Sequence, residues 1–157
     1  MLVDANLLLF TTDETSSLHA AAKAWLTERL NGARRVGLPW QTLGAFLRLA
    51  THPRVFAEPL TPVQAWARVS DWLASDVAWI PAPGVRHPDL LGELVRRHEI
   101  RGNLVPDAQL AALALEHGLT VCSADTDFAR FHEIHWENPV GGPPRAADPA
   151  GGALTTL

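Results

Sequence analysis

Five short apolar runs alternate along this chain with longer stretches whose apolar residues recur at helical spacing. The runs are Leu2-Val3, Val36-Gly37-Leu38, Val77 to Ile80, Leu119 to Cys122 and Ile134-His135-Trp136, the last short enough to be an edge strand. Between them the spacing predicts helices over Ala5 to Phe10, Ser17 to Leu30, Leu43 to Ala50, Pro62 to about Leu73, Pro88 to Arg97 and Pro106 to Glu116. Thr61-Pro62 reads as an N-cap followed by a first-turn proline, and Asn31-Gly32 and His117-Gly118 read as helix stops. Arg101-Gly102-Asn103 reads as a turn, and Asp125 to Phe131 as a loop with a helical turn. Strands separated by helices join through crossovers rather than hairpins, so they make a mostly parallel sheet covered on both faces. The expected fold class is therefore α/β, with three α/β/α layers.

The chain has 157 residues, which suits one domain able to bury its own core. After Pro139 the composition changes to Gly, Pro and Ala, so residues 1–139 are expected to form the domain and 140–157 a disordered tail. The opening Met1-Leu2-Val3-Asp4 lacks a basic leader, and no apolar window is long enough for a membrane span. The single cysteine, Cys122, excludes an internal disulfide framework and fits a reducing, cytoplasmic setting. A net charge of −4 argues against a passive nucleic-acid coat. It does not argue against a metal-dependent nuclease, because a bound cation reverses the sign of a carboxylate cluster.

The order of elements then places particular acids. In an open parallel sheet, ligands bind outside the carboxyl ends of the strands. Asp4 ends the first strand, and Asp125 lies three residues past Cys122 at the end of another. The helix from Pro106 runs back before the strand that ends at Cys122, so its N-terminal Asp107 belongs at the same edge; Asp127 follows in the loop. Clustered carboxylates repel one another, and a hard divalent cation with oxygen ligands, Mg²⁺ or Mn²⁺, removes the conflict. Such a cation is suited to phosphodiester hydrolysis. Each acid also has a plain structural reading. Asp4 is a favoured helix cap, Asp107 suits a first helical turn, Asp125 and Asp127 are turn formers, and Asn6 can stabilise the turn after the strand.

Several segments together resemble the PIN-domain ribonucleases, specifically the VapC toxins of toxin–antitoxin pairs. They are Val3-Asp4-Ala5-Asn6, the stretch Leu43 to Phe56, Asn103 to Ala108 with Leu110 to Ala114 after it, Ser123 to Phe131, and Trp136-Glu137-Asn138-Pro139. The resemblance covers about residues 1 to 139. It implies a PIN-like domain and a Mg²⁺- or Mn²⁺-dependent endoribonuclease acting on structured RNA, often transfer RNA. It further implies a homodimer and a cognate VapB-like antitoxin. By match, Asp4, Asp107 and Asp125 take metal and catalytic roles, Asp127 assists, and Asn6 and Ser123 orient ligands or substrate.

One departure stands out. The family usually carries a Glu on the helix after the second strand, yet no Asp or Glu occurs from Arg29 to Ala57. Three readings remain open: a site with fewer carboxylates, a substitute acid, or weak activity. Glu93 and Glu116 are the candidate substitutes, both expected on solvated helix faces. The lost acid also motivates an alternative function, a catalytically impaired PIN-like module that acts by binding RNA or a partner. A phosphatase-like hydrolase with Asp4 as nucleophile is disfavoured, because the position two residues on is Asn6. Cys122 with His132 and His135 is too sparse for a zinc signature. Trp25, Trp40, Trp66 and Trp72 sit at helical spacing and are expected in the core or an interface.

Overall fold

A computed structural model describes residues 1–141. The elements follow in the order β1 (Leu2–Val3), α1 (Ala5–Phe10), α2 (His19–Leu30), β2 (Val36–Gly37), α3 (Trp40–Ala50), α4 (Pro62–Leu73), β3 (Ala78–Trp79), α5 (His87–Arg97), α6 (Val105–His117), β4 (Val121–Cys122) and β5 (Trp136–Glu137). Two 3-10 turns, Gly102–Leu104 and Thr126–Arg130, precede α6 and follow β4. The five strands form one sheet in the order β3-β2-β1-β4-β5, and every pair is parallel. The chain winds outward from β1 through β2 to β3, then returns to the other side of β1 as β4 and β5. The order thus reverses between β1 and β4, and the crevice beyond the carboxyl ends of those two strands is the favoured ligand site of such a sheet.

Adjacent strand residues face opposite layers, as the two-residue period requires. Val3 and Cys122 join Leu8, Trp25, Phe46 and Trp72 in one core cluster, under α1 to α4. Leu2 and Val121 join Leu94, Leu110, Leu113 and Phe128 in the other, under α5 and α6. This is the expected three-layer α/β/α arrangement. Among the described residues no helix is long and apolar enough to cross a membrane.

The differences from the sequence reading have local causes. Helix α3 starts at Trp40, three residues before the apolar period begins, because extended Pro39 (ψ 156°) sits at its N-cap. The last strand lies at Trp136–Glu137 rather than Ile134–Trp136, since Ile134 N is drawn back to the Phe131 carbonyl at 3.2 Å. The tail expected from residue 140 lies outside the described residues except for Val140 and Gly141, and Val140 is buried against the first cluster. Trp25 and Trp72 are buried, but Trp40 and Trp66 are half exposed. On α4, Trp66 points away from the face that buries Ala65, Val69 and Trp72.

Helix α4 opens on a full capping box. Thr61 Oγ1 accepts from Gln64 N at 3.2 Å, and Gln64 Oε1 accepts from Thr61 N at 2.9 Å. Helix α6, which carries Asp107 at its start, ends on Gly118 in the left-handed region (φ 63°, ψ 42°). A Cβ there meets no neighbouring atom within 4 Å, so only backbone strain opposes substitution. Gly118→Ala should therefore cost about 1 kcal/mol of stability, and Gly118→Asn less. Equal denaturation midpoints for the wild type and the Ala variant would contradict this.

Candidate metal centre

Two loops leave the sheet at the switch point, and buried Ser123 ties them together. Asp4 caps α1 from an extended backbone (φ −85°, ψ 155°), its Oδ1 accepting from Ala5 N at 2.7 Å. Its Oδ2 accepts from Ser123 Oγ at 2.7 Å. The same Ser123 oxygen accepts from Asn6 Nδ2 at 2.9 Å and from Asp125 N at 3.0 Å, so the hydroxyl uses its one donor and both lone pairs. Asn6 Oδ1 in turn accepts from Ala124 N at 3.3 Å, and Trp136 Nε1 donates to the Ser123 carbonyl at 3.0 Å. Asp4, Asn6, Ser123 and Asp125 are therefore one hydrogen-bonded unit. The first turn of α3 is fastened beside it, since Thr42 Oγ1 donates to the Val3 carbonyl at 2.8 Å.

Asp107 comes from the first turn of α6, and Asp125 caps the 3-10 turn by accepting from Asp127 N at 2.8 Å. The capping and turn-forming readings of these acids are thus all realised, together with a second consequence. Asp107, Asp125 and Asp127 each offer a carboxylate oxygen within 4.8 Å of the other two. Asp127, expected as an accessory, belongs to this tight group. Asp4 stands beside it with one oxygen engaged by Ala5 and the other by Ser123.

The electrostatics record the crowding. Burial pushes the Asp107 carboxyl up to about 6; the charges of Asp4, Asp125 and Asp127 push the same way, and Arg130 opposes them. Burial also raises Asp4, against the pull of its Ser123 and Ala5 hydrogen bonds, and Asp125 adds to the rise. Groups held this close without a counter-charge are destabilised in their ionised form. The donor set is all oxygen and all anionic, which suits a hard divalent cation and not a thiolate- or imidazole-seeking one.

Other candidates fall away from this edge. Glu93 is solvated and pairs with Arg97 one helical turn along α5. Glu116 is not on a solvated face as the sequence suggested: its side chain is 9% exposed and accepts from Gly84 N at 2.8 Å and Arg86 N at 3.0 Å. It lies at the end of α6 opposite Asp107, where it holds the start of α5. Cys122 is buried, with its thiol pushed up by burial and donating to Glu137 Oε1 at 3.2 Å.

The order of these segments matches a known family over most of the chain. A family profile described as "PIN domain" matches residues 1–134. The chain belongs to the PIN-domain family. Within it, this PIN domain is 44% identical to Ribonuclease VapC37 of Mycobacterium tuberculosis over 138 residues, 88% of this chain and 96% of that protein. It is 38% identical to Ribonuclease VapC33 of the same species over 137 residues, 87% of this chain and 96% of that protein. Among solved structures, the fold is like that of M. tuberculosis VapC20, a toxin that cleaves the sarcin–ricin loop, with a TM-score of 0.62 at 20% identity, covering 85% of this chain and 98% of that one. It is equally like VapBC2 of Rickettsia felis bound to a promoter DNA fragment, with a TM-score of 0.62 at 14% identity, covering 87% of this chain and 96% of that one.

Sequence reasoning missed one residue of this PIN domain's edge. Arg130, at the end of the 3-10 turn, places Nη2 3.7 Å from Asp127 Oδ1. The signal was present as an i, i+3 acid–arginine pair, the spacing that puts two side chains on one face of a helical turn.

Proposed function

We propose that this chain is a divalent-cation-dependent endoribonuclease, the toxin of a VapBC-type pair, restrained by a VapB-like antitoxin. What carries the reading is the convergence of Asp107, Asp125 and Asp127 within 4.8 Å in a PIN domain that is 44% identical to a ribonuclease of the VapC group. The substrate is structured RNA, transfer RNA among the candidates, recognised through an exposed single-stranded loop. The working form is a homodimer.

Asp107, Asp125 and Asp127 would hold Mg²⁺ or Mn²⁺, and Asp4 beside them supplies further negative charge. When bound, the cation supplies Lewis acidity and neutralises charge on the phosphate. Ser123 keeps Asp4 and Asp125 at a fixed separation by bonding both, and Asn6 keeps the Ser123 hydroxyl aimed at Asp4. Preorganisation of this kind leaves little rearrangement to be made when substrate arrives. The acid usual on α3 has no counterpart here; Gln41 and Thr42 occupy the first turn of that helix. The site works with the carboxylates of α6 and the loops after β1 and β4.

Purified protein should cleave RNA with Mg²⁺ or Mn²⁺ and stop when EDTA is added. Cation affinity itself supplies an independent check. Asp107 must lose its proton to hold the ion, and its carboxyl sits at about 6. Affinity for Mn²⁺, measured by calorimetry, should thus fall about fivefold between pH 6 and pH 5 as one proton competes for the site. A profile flat down to pH 5, where an ordinary carboxylate is still ionised, would remove Asp107 from the ligand set. No Mn²⁺ binding, together with no cleavage of any RNA, would instead favour the binding-only module.

A further inference from the structure

The edge described above is strongly anionic, yet its proposed substrate is a polyanion. A cation that meets the phosphate directly resolves the conflict, and one side chain is placed for it. Arg130 ends the 3-10 turn that begins at Asp125, so the loop that presents Asp125 and Asp127 also presents this guanidinium. Three features show that it is not consumed by the fold. Its Nη2 stands 3.7 Å from Asp127 Oδ1, close enough for charge attraction and too far for a hydrogen bond. Its Nε is buried and has no hydrogen-bond partner among the described residues. Its side chain is nonetheless 38% exposed, so the fork can be reached from solvent.

The contrast with Arg97 is informative. Arg97, on the neighbouring α5, donates to Glu133 at 2.7 Å and also to Glu93, so its fork is filled by protein carboxylates. Among the described residues Arg130 has a single loose partner, Asp127. A guanidinium matches the non-bridging oxygens of a phosphate in plane and in charge, which a lysine ammonium does not.

On the reading that the aspartate cluster cleaves RNA, we propose that Arg130 is the residue that receives the RNA phosphate and holds it against the Asp107–Asp125–Asp127 group. It acts as a binding and positioning residue. The bond it makes is charge-assisted and forms in the ground state as well as during reaction, so its loss should raise KM more than it lowers kcat.

The test uses the full chain with Arg130→Gln and Arg130→Lys, each checked for folding by thermal denaturation. Binding of a short fluorescein-labelled single-stranded RNA is measured by anisotropy in EDTA, where no cleavage occurs, across a salt series. Arg130→Gln should weaken binding about tenfold, and the slope of log Kd against log salt should fall by roughly 0.7, the value of one lost phosphate contact on a single strand. Arg130→Lys should recover the salt slope but only part of the affinity. With Mg²⁺ present, Arg130→Gln should show a raised KM. A guanidinium that served only to neutralise Asp127 would leave RNA affinity and salt slope unchanged while shifting Mn²⁺ affinity. That pattern, with cleavage by the wild type intact, overturns the Arg130 proposal and leaves the ribonuclease standing. A wild type that neither binds nor cleaves RNA overturns both.

Discussion

Asp107→Asn is expected to lower RNA cleavage by about a thousandfold while making the cation-free protein harder to unfold at pH 8. The first effect follows from removing a ligand from a group whose value lies in stabilising charge on a reacting phosphate, a contribution of several kcal/mol. The second follows from the direction in which Asp107 is perturbed. Its folded carboxyl sits at about 6, above the ordinary value of 3.8, because burial and three neighbouring aspartates disfavour the charge. A raised carboxylate contributes stability that is fully present below about pH 4 and is lost as pH rises through about 6. At pH 8 the ionised Asp107 therefore destabilises the folded state. Asn keeps the shape and drops the charge. The variant should melt above the wild type at pH 8, and the gap should close at pH 4, where both side chains are neutral. Adding Mn²⁺ at pH 8 should raise the wild-type melting temperature by more than that of the variant, since binding to the native state stabilises it. Undiminished cleavage would remove Asp107 from the chemistry. A variant less stable than the wild type at pH 8 would mean that the crowding described here is already relieved in solution.

This opposition between stability and use explains which parts of the molecule could be read from the sequence. Elements whose residues serve packing announce themselves by period. Leu2-Val3, Val36-Gly37 and the apolar faces of α3 and α6 fall where the spacing puts them, and the parallel sheet follows from their alternation. Asp4, Asp107 and Asp125 could be assigned to one edge because strand direction and helix return fix that edge without any side-chain detail. What order alone does not carry is the final ångströms. Asp127 joins the tight carboxylate group because Asp125 Oδ1 accepts its backbone N–H, a local turn with no periodic signal. Asp4 stands beside the group because Ser123, 119 residues away, engages its second oxygen. Glu116 looked solvated because helical spacing leaves it outside the core, whereas a loop, Gly84 to Arg86, closes over it through backbone donors. Helical spacing put Trp40 and Trp66 in the core or an interface without choosing between them; both are half exposed, the first at a helix start and the second on the outer face of α4. Arg130 carried a spacing signal, yet i, i+3 pairs of opposite charge are common on solvated turns and single out nothing by themselves.

Phe46→Ala should be the most destabilising single truncation in the layer that carries α1 to α4, costing about 3–5 kcal/mol. Phe46 is fully buried in α3, and its ring meets that of Trp72 on α4 edge-on, with centroids 4.8 Å apart. An edge-to-face pair adds to the burial of its area because the positive rim of one ring faces the negative face of the other. Truncation removes both contributions and leaves a void between two helices tied into one cluster with Leu8, Val36 and Leu43, so collapse onto it would require several elements to move together. For a domain of this size the loss corresponds to a fall in melting temperature of roughly 6–20 °C. Phe46→Leu keeps most of the volume and should cost less than about 1.5 kcal/mol, which separates a cavity effect from a general intolerance of change in α3. The consequence reaches the metal edge through Thr42, one turn before Phe46, whose hydroxyl bonds the Val3 carbonyl next to Asp4. Loosening α3 should therefore also loosen the seating of Asp4. Hydrogen exchange would report this directly: in Phe46→Ala, the amides of Asp4 and Ala5 should lose protection along with those of α3, while α6, packed in the opposite layer, keeps its own up to the global unfolding limit. Equal losses of protection in α3 and α6 would mean that the two layers unfold as one unit and that the route through Thr42 carries nothing of its own.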